Sequence, residues 1–307
     1  MGTPEFAVGI LDAIITAGYE VAGVVTAPDR PAGRGQKLKY SAVKEYALQR
    51  ELPLLQPVNL KDPGFLSELK ALKANLQVVV AFRMLPAAVW QMPELGTFNL
   101  HASLLPQYRG AAPINWAIIN GERKTGVTTF FIDDKIDTGA IILKKETAIG
   151  EKEELGSLHD RLMALGSEAV VESLEAIASG TATPQAQQDS SDLRPAPKLT
   201  RENTRIDFAK SGEEVRNLVR GLSPYPAAWA NIYDNGVEYN VKIYAVEVFR
   251  ETHGFAPGTI SISGRKLAIY VADGFVEITN LQFPGKKRME ALDFLNGNPL
   301  SPAARAI

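Results

Sequence analysis

"LQVVVAFRMLPAAVWQMPELGTFNLH", residues 76–101, sets a continuous apolar run, a short helical stretch and a second strand-like run in a row. The run "LQVVVAF" (76–82) is apolar at successive positions. It therefore reads as a strand buried on both faces, as in a parallel sheet covered by helices. A helix is expected near 86–92 and a second strand at 97–101, which together make a β-α-β unit. Working upstream, Phe6, Ile10, Leu11, Ile14 and Ile15 recur at helical spacing and Gly18 stands where the helix ends. "YEVAGVVTA" (19–27) and "LPLLQ" (52–56) read as strands, and "PGFLSELKALKA" (63–74) as a helix. Downstream, a helix is expected near 112–120, strands near 126–132 and 140–146, and a long helix from about 153 to 180 that stops at Gly180. This is the pattern of an α/β, Rossmann-like, doubly wound and mostly parallel sheet. Thr3 reads as the N-cap of the first helix and Pro4 as its first residue, so that helix starts almost with the chain. A doubly wound sheet needs a strand before it. The first strand is thus expected to be missing, the sequence beginning inside a longer one.

The composition changes at "TATPQAQQDSSDLRPAPKLT" (181–200), which is rich in Pro, Gln, Ser and Thr and has little to bury. The expected organisation is a domain over 1–180, a linker over 181–199 and a second domain over 200–307. In the last of these, one helix (about 211–221) precedes short runs such as "VEYNVKIYAVEVF", "KLAIYVA" and "GFVEITNLQF", separated by Asn235-Gly236 and Asp273-Gly274. That spacing predicts a small β-barrel. The length of 307 residues and 45% apolar content suit two packed domains. No stretch approaches a membrane span, and the start carries no basic leader, so a soluble, cytoplasmic protein without membrane attachment is expected. Without cysteine there is neither a disulfide frame nor a thiolate metal site, and His101, His159 and His253 lack ligand spacing. No metal is expected. The net charge of −2 conceals a mildly basic C-terminal part, with 14 Lys and Arg against 12 Asp and Glu over 198–307.

Three stretches carry candidate chemistry. In "FNLHASLLPQYRGAAP" (98–113), strand alternation puts Asn99 and His101 on one face near the C-terminal end of a strand, where open α/β sheets bind ligands. An amide and an imidazole so aimed could donate to an oxyanion, as acyl transfer demands, or form a purely structural pair. Ser103-Leu104-Leu105-Pro106 is too apolar to cradle phosphate; it could wall a flat organic cofactor or simply turn the chain. "IDDKIDTGAIIL" (132–143) holds Asp133 and Asp134, read as turn formers, and Asp137, whose single carboxylate fits general-base or His-orienting work. "TAPDRPAGRGQKLKYSAVK" (26–44) carries Arg30, Arg34, Lys37, Lys39 and Lys44 against Asp29 alone. Its prolines and glycines argue against regular structure, which leaves a basic loop suited to a phosphate backbone, or a solvated one.

In order along nearly the whole chain, "GTPEFAV", "PDRPAGRGQKL", "NLHASLLPQYRGAAPI", "IDTG" and "PGKKRM" resemble the folate-dependent formyltransferases, and among these the methionyl-tRNA formyltransferase family. The resemblance implies an OB-like C-terminal barrel, 10-formyltetrahydrofolate as formyl donor and initiator methionyl-tRNA as acceptor, with the chain acting as a monomer. It places the catalytic trio on Asn99, His101 and Asp137. It places the folate along Ser103, Leu104, Leu105 and Pro106, near Ala81, Phe82 and Met84, with the 132–137 loop and its Asp133 around the pterin. Transfer RNA contacts fall on Arg34, Arg30, Lys37, Lys39, Lys198 and Arg201, with Arg205, Lys286, Lys287 and Arg288 as further candidates. Arg83 stands where the family usually carries Gly. A small amine such as a nucleotide amino-sugar is the alternative acceptor, and a non-catalytic RNA-binding protein the more distant reading.

Overall fold

The computed structural model describes residues 1–32, 37–188, 191–297 and 300–307, except for the side chains of 31, 32 and 37. The chain forms two compact units. Unit 1 comprises Met1–Pro113, Thr125–Ala148 and His159–Pro195; unit 2 comprises Ile114–Lys124, Ile149–Leu158 and Ala196–Ile307. Among the described residues, no helix is long and apolar enough to cross a membrane.

In chain order, α1 (Glu5–Thr16) leads to β1 (Val24–Val25), to a hairpin of β2 (Arg30–Ala32) and β3 (Lys37–Lys39), and to α2 (Ala42–Gln49) and β4 (Leu54–Leu55). α3 (Pro63–Ala71), β5 (Gln77–Val80), α4 (Ala87–Trp90) and β6 (Thr97–His101) follow. After α5 (Pro113–Ile119) come β7 (Lys124–Phe131), β8 (Ile141–Ala148) and α6 (Leu155–Ala178). The local chemistry explains several starts. The Ser41 hydroxyl accepts from Lys44 N at the head of α2, and the Asp62 carboxylate from Phe65 N at the head of α3, with proline next in line. α1 departs from the sequence reading: Pro4 is its N-cap, no side chain caps it, and Thr3 lies outside.

The sheet of unit 1 is in two pieces. β1 and β4 pair in parallel; β5 and β6 pair in parallel, β6 and β7 antiparallel, and β8 flanks β7. Between β1 and β5 sit Met1 and Gly2: Gly2 N donates to Val25 O (3.0 Å), Val80 N to Met1 O (2.9 Å), and the Met1 ammonium to Val78 O (2.7 Å). Beyond Met1 the gap continues as a cavity of about 610 Å³ lined by Ile10, Ile14, Val21, Val24, Leu76 and Val78, among others. The run 19–27 accordingly forms a strand only at Val24–Val25, where β4 offers a partner; residues 19–23 border the cavity. Burial pushes the Met1 α-amino group from 8.0 down to about 5.

The segment expected to tether the domains is anchored on unit 1 at several points. Gln185 and Ile141 exchange backbone hydrogen bonds (2.7 and 2.8 Å), and Tyr108 N donates to Arg194 O (2.7 Å).

Unit 2 contains α7 (Gly212–Leu222), opened by a capping box between Ser211 and Glu214. Then come β9 (Ala228–Asp234), β10 (Val237–Arg250), β11 (Ile260–Ser263), β12 (Lys266–Val271), β13 (Gly274–Gln282), β14 (Met289–Glu290), α8 (Ala291–Gly297) and β15 (Arg305–Ala306). Asn235 and Gly236, both at positive φ, make the tight β9–β10 turn. The strand order β11-β12-β13-β10-β9-β15 returns on itself through an antiparallel bridge between Thr259 and Arg305, which nearly closes the barrel. Ile232, Ile243, Leu267, Ile269 and Phe294 fill it, with Leu222 of α7 against them.

Candidate active site

β6 lies between β5 and β7, with Phe98 and Leu100 buried. Alternation therefore sets Asn99 and His101 on one shared face at the strand's C-terminal end. His101 is 6% exposed and Asn99 half-buried. His101 Nε2 lies 2.8 Å from the carbonyl oxygen of Tyr108. A carbonyl can only accept, so this nitrogen carries a proton and the other one, Nδ1, is left free of that bond. Nδ1 faces Asp137 Oδ2 at 3.7 Å, and that same oxygen accepts from Gly110 N at 2.9 Å. The three residues singled out in the sequence are thus two on one strand and one on the neighbouring loop, with the Asp137 and His101 side chains in register. The assignment of ring nitrogens differs from a His that donates freely to substrate, since its Nε2–H is already committed to the backbone. Asn99 is the trio's free donor: its amide has no hydrogen-bond partner among the described residues.

Asp137 sits at a positive φ of 55°, a conformation an Asp adopts only when its surroundings hold it. Thr138 Oγ1 donates to Asp133 (2.8 Å), which also accepts from Lys135 N (3.0 Å), so Asp133 builds the turn. Gly139 passes so close to β7 that a Cβ there would stand 1.7 Å from Phe131 O.

Two expected cofactor contacts are corrected. Ser103 and Leu105 are fully buried. The Ser103 hydroxyl donates to Gln107 O (2.7 Å), while Thr128 Oγ1 donates to Ser103 O (2.7 Å) and accepts from Leu105 N (3.1 Å). The Ser103 hydroxyl and the Leu105 backbone amide are thus spent on bonds within the protein. Leu104 and Pro106 are partly exposed, as is Phe82; Ala81 is exposed at positive φ (47°), and Met84 is 65% exposed. Arg83 reaches from the end of β5 to donate to Val58 O (2.8 Å) and Pro57 O, tying two loops at the C-terminal edge of the sheet. Burial, then the charge of Arg30, lowers its pKa from the usual arginine value.

The basic stretch at 26–44 also differs from its reading. It forms an antiparallel hairpin, with Arg30 opposite Lys39 and Ala32 opposite Lys37, and both Arg30 and Lys39 exposed. Residues 33–36, Arg34 among them, and the Lys37 side chain lie outside the described residues. Lys44 is bound to Asp29 at the hairpin's base. In unit 2, Lys198, Arg201 and Arg205 are exposed, and the two guanidinium groups lie over Trp229, 4.6 and 5.7 Å from its ring centre. Lys286, Lys287 and Arg288 are exposed on the barrel, Arg288 over the Tyr244 ring.

Tyr108, Gly110 and Gln187 were not found from sequence. The first two act through backbone groups, which have no side-chain signature, and Gln187 falls in a stretch whose composition reads as tether. The arrangement brings together an amide donor, an imidazole nitrogen and a carboxylate 3.7 Å from it.

Comparison with known proteins bears on this chemistry. The family model described as formyl transferase matches residues 1–174, and the formyl transferase C-terminal domain matches 198–299. The methionyl-tRNA formyltransferase of Flavobacterium johnsoniae is 61% identical over 99% of this chain and 97% of its own length. That of Bacteroides thetaiotaomicron is 51% identical over 98% and 95%. Among solved structures, an N-formyltransferase from Helicobacter canadensis, crystallised with folinic acid and dTDP-3-aminofucose, superposes with a TM-score of 0.64. It shares 21% identity over 94% of this chain and 97% of its own. HypX from Aquifex aeolicus in complex with tetrahydrofolic acid gives 0.58 at 22% identity, covering 81% of this chain and 43% of HypX. At these identities the two structures speak to the fold alone.

Proposed function

The chain belongs to the methionyl-tRNA formyltransferase family, and from that membership we propose that it moves the formyl group of 10-formyltetrahydrofolate to the α-amino group of methionine on initiator tRNA. The amine nitrogen attacks the formyl carbon and the carbonyl oxygen takes up negative charge; the oxyanion then re-forms the carbonyl as the bond from that carbon to the folate nitrogen breaks and this nitrogen takes the proton that His101 collected from the amine. Asn99 donates its amide hydrogen to the oxyanion. His101 Nδ1 collects the amine proton while its Nε2–H stays on the Tyr108 carbonyl, and Asp137 stabilises the resulting imidazolium. The folate lies beside Leu104 and Pro106, with Phe82, Met84 and the backbone of Ala81 on its other side. The observation that carries this reading is the approach of Asp137 to His101 at 3.7 Å beside an Asn99 amide with no partner among the described residues, at the end of β6.

The β2–β3 hairpin supports a polyanionic acceptor. Two cations, Arg30 and Lys39, stand directly opposite each other across strands, an arrangement that costs stability until an anion lies over both. Arg34, which lies outside the described residues, with Lys37, Lys198 and Arg201, completes the proposed tRNA contacts, and a cytoplasmic monomer is the working form. The test is incubation with 10-formyltetrahydrofolate and methionyl initiator tRNA. Formyl-methionyl-tRNA is the expected product, and His101→Ala is expected to lower kcat about a hundredfold or more with unchanged circular dichroism. Formylation of an amino-sugar nucleotide but not of tRNA, or binding of tRNA without product, would overturn the proposal.

A further inference from the structure

Gln187 lies at neither end of the reacting trio, yet its side chain touches both loops that frame it. Its Nε2 donates to Asp137 O and Gly139 O, each at 2.9 Å, and its Oε1 accepts from Arg109 Nε (3.2 Å) and Nη2 (2.8 Å). The orientation of the amide is fixed by its neighbours: turned over, its oxygen would face two carbonyls and its NH2 a guanidinium. All of the amide's hydrogen-bonding capacity is therefore spent on one task. On one side it fixes the carbonyl of Asp137 itself, in its positive-φ turn, and that of Gly139 just after it. On the other it grips Arg109, the residue just before Gly110, whose N–H holds Asp137 Oδ2. Tyr108, one residue earlier, holds His101 Nε2. A single amide thus spans the loop that carries the carboxylate and the loop that orients both the carboxylate and the imidazole.

Gln187 itself is held by its own segment. Two residues before it, Gln185 pairs with Ile141 at the start of β8; after it, Arg194 takes the Tyr108 amide on its carbonyl and donates its own N–H to Gln107 Oε1 (2.8 Å). The stretch that composition marks as a tether is laid across the two loops and pinned at both ends.

We propose that Gln187 is a positioning residue for formyl transfer: it acts through Asp137, keeping the carboxylate on His101 Nδ1, and touches neither substrate. This rests on the role given to Asp137 above. The test is a double-mutant cycle between Gln187→Met, which keeps length and removes every hydrogen bond, and Asp137→Asn, read by single-turnover formylation of methionyl-tRNA. Gln187→Met alone is expected to lower kcat about tenfold, the scale of one or two lost hydrogen bonds, with KM for both substrates within about twofold. In the Asp137→Asn background the same change is expected to cost less than about twofold, because the group it positions is gone. Full kcat in Gln187→Met, or an equal loss with and without Asp137, overturns the proposal, the latter outcome marking a general structural role. If Gln187→Met does not fold, Gln187→Asn, which retains the amide but is too short to span both loops, takes its place with the same two outcomes. The wild-type arm separates the two readings: a wild-type chain that yields no formyl-methionyl-tRNA sinks the proposed function, whereas an active wild type with an indifferent Gln187 sinks only this inference.

Discussion

At the scale of single residues, the site depends on which hydrogen bonds are already made. The Tyr108 carbonyl holds the His101 Nε2 proton, so protonation chemistry is left to Nδ1, beside Asp137. Asn99 differs because its amide has no hydrogen-bond partner among the described residues. Asn99→Ala is therefore expected to lower kcat about a hundredfold with KM little altered, the signature of a donor used in the transition state alone. The melting temperature should stay within about 2 °C of wild type, since no fold hydrogen bond is removed; a large drop would mean that the amide is structural. Gly139 is constrained differently. Its Cβ would stand 1.7 Å from the Phe131 carbonyl oxygen, so Gly139→Ala must push the Asp137 turn off β7. A loss of about 1–3 kcal/mol in urea unfolding, together with lower kcat, is the expected result. Unchanged unfolding would show that the loop shifts without cost.

At the scale of elements, the hairpin at 30–39 and the gap beside β1 each make a measurable claim. Ala substitution of both Arg30 and Lys39 is expected to raise KM for tRNA about tenfold and to reduce the salt slope of tRNA binding by about two, leaving KM for the folate unchanged. Equal losses for both substrates would place the hairpin elsewhere than on the tRNA. The same readout checks Arg34→Ala. The gap exposes a different physics. The Met1 ammonium, bonded to Val78 O, has its pKa brought down by burial from 8.0 to about 5. An unfolded chain binds that proton below pH 8, the folded one only below about pH 5. Stability from this group therefore falls as the pH drops from 8 to 5 and levels off beneath, by on the order of 4 kcal/mol at most. Adding five or six β-branched residues ahead of Met1 is expected to remove that pH dependence and raise the melting temperature, because an extended segment there can pair with β1 and β5 and fill apolar space. Identical melting curves from pH 5 to 8 for the two proteins would refute this.

At the scale of the molecule, the chain threads between its units more often than its motifs suggest. The first family match ends at residue 174 and the second starts at 198, yet unit 2 also takes Ile114–Lys124 and Ile149–Leu158, and Ile119 of α5 packs against the barrel's apolar cluster. Truncation after Pro195 should thus yield a poorly soluble fragment that melts at least 5 °C below the full chain, since Ile119 loses its cover. A well-behaved fragment of full stability would show that α5 does not need it. The strand at 97–101 and the helices at 63–71 and 212–222 were legible because period-2 and period-3.6 patterns with caps are local properties. The Asn99–His101 pair was legible for the same reason: two residues apart on a strand is one face. The hairpin was not, because its prolines and glycines oppose strand propensity and only the pairing of 30–32 with 37–39 overrides them. Nor were the buried Ser103 and Leu105, whose direction depends on Thr128 of a different strand. Residue type and short-range spacing were enough to indicate the reaction class, most of the element types and the shared face of Asn99 and His101. Tertiary structure decided which imidazole nitrogen meets the Tyr108 carbonyl, which side chains turn inward and that Gln187 grips the loops of Asp137 and Arg109, because each depends on hydrogen-bond partners that residue type alone does not name.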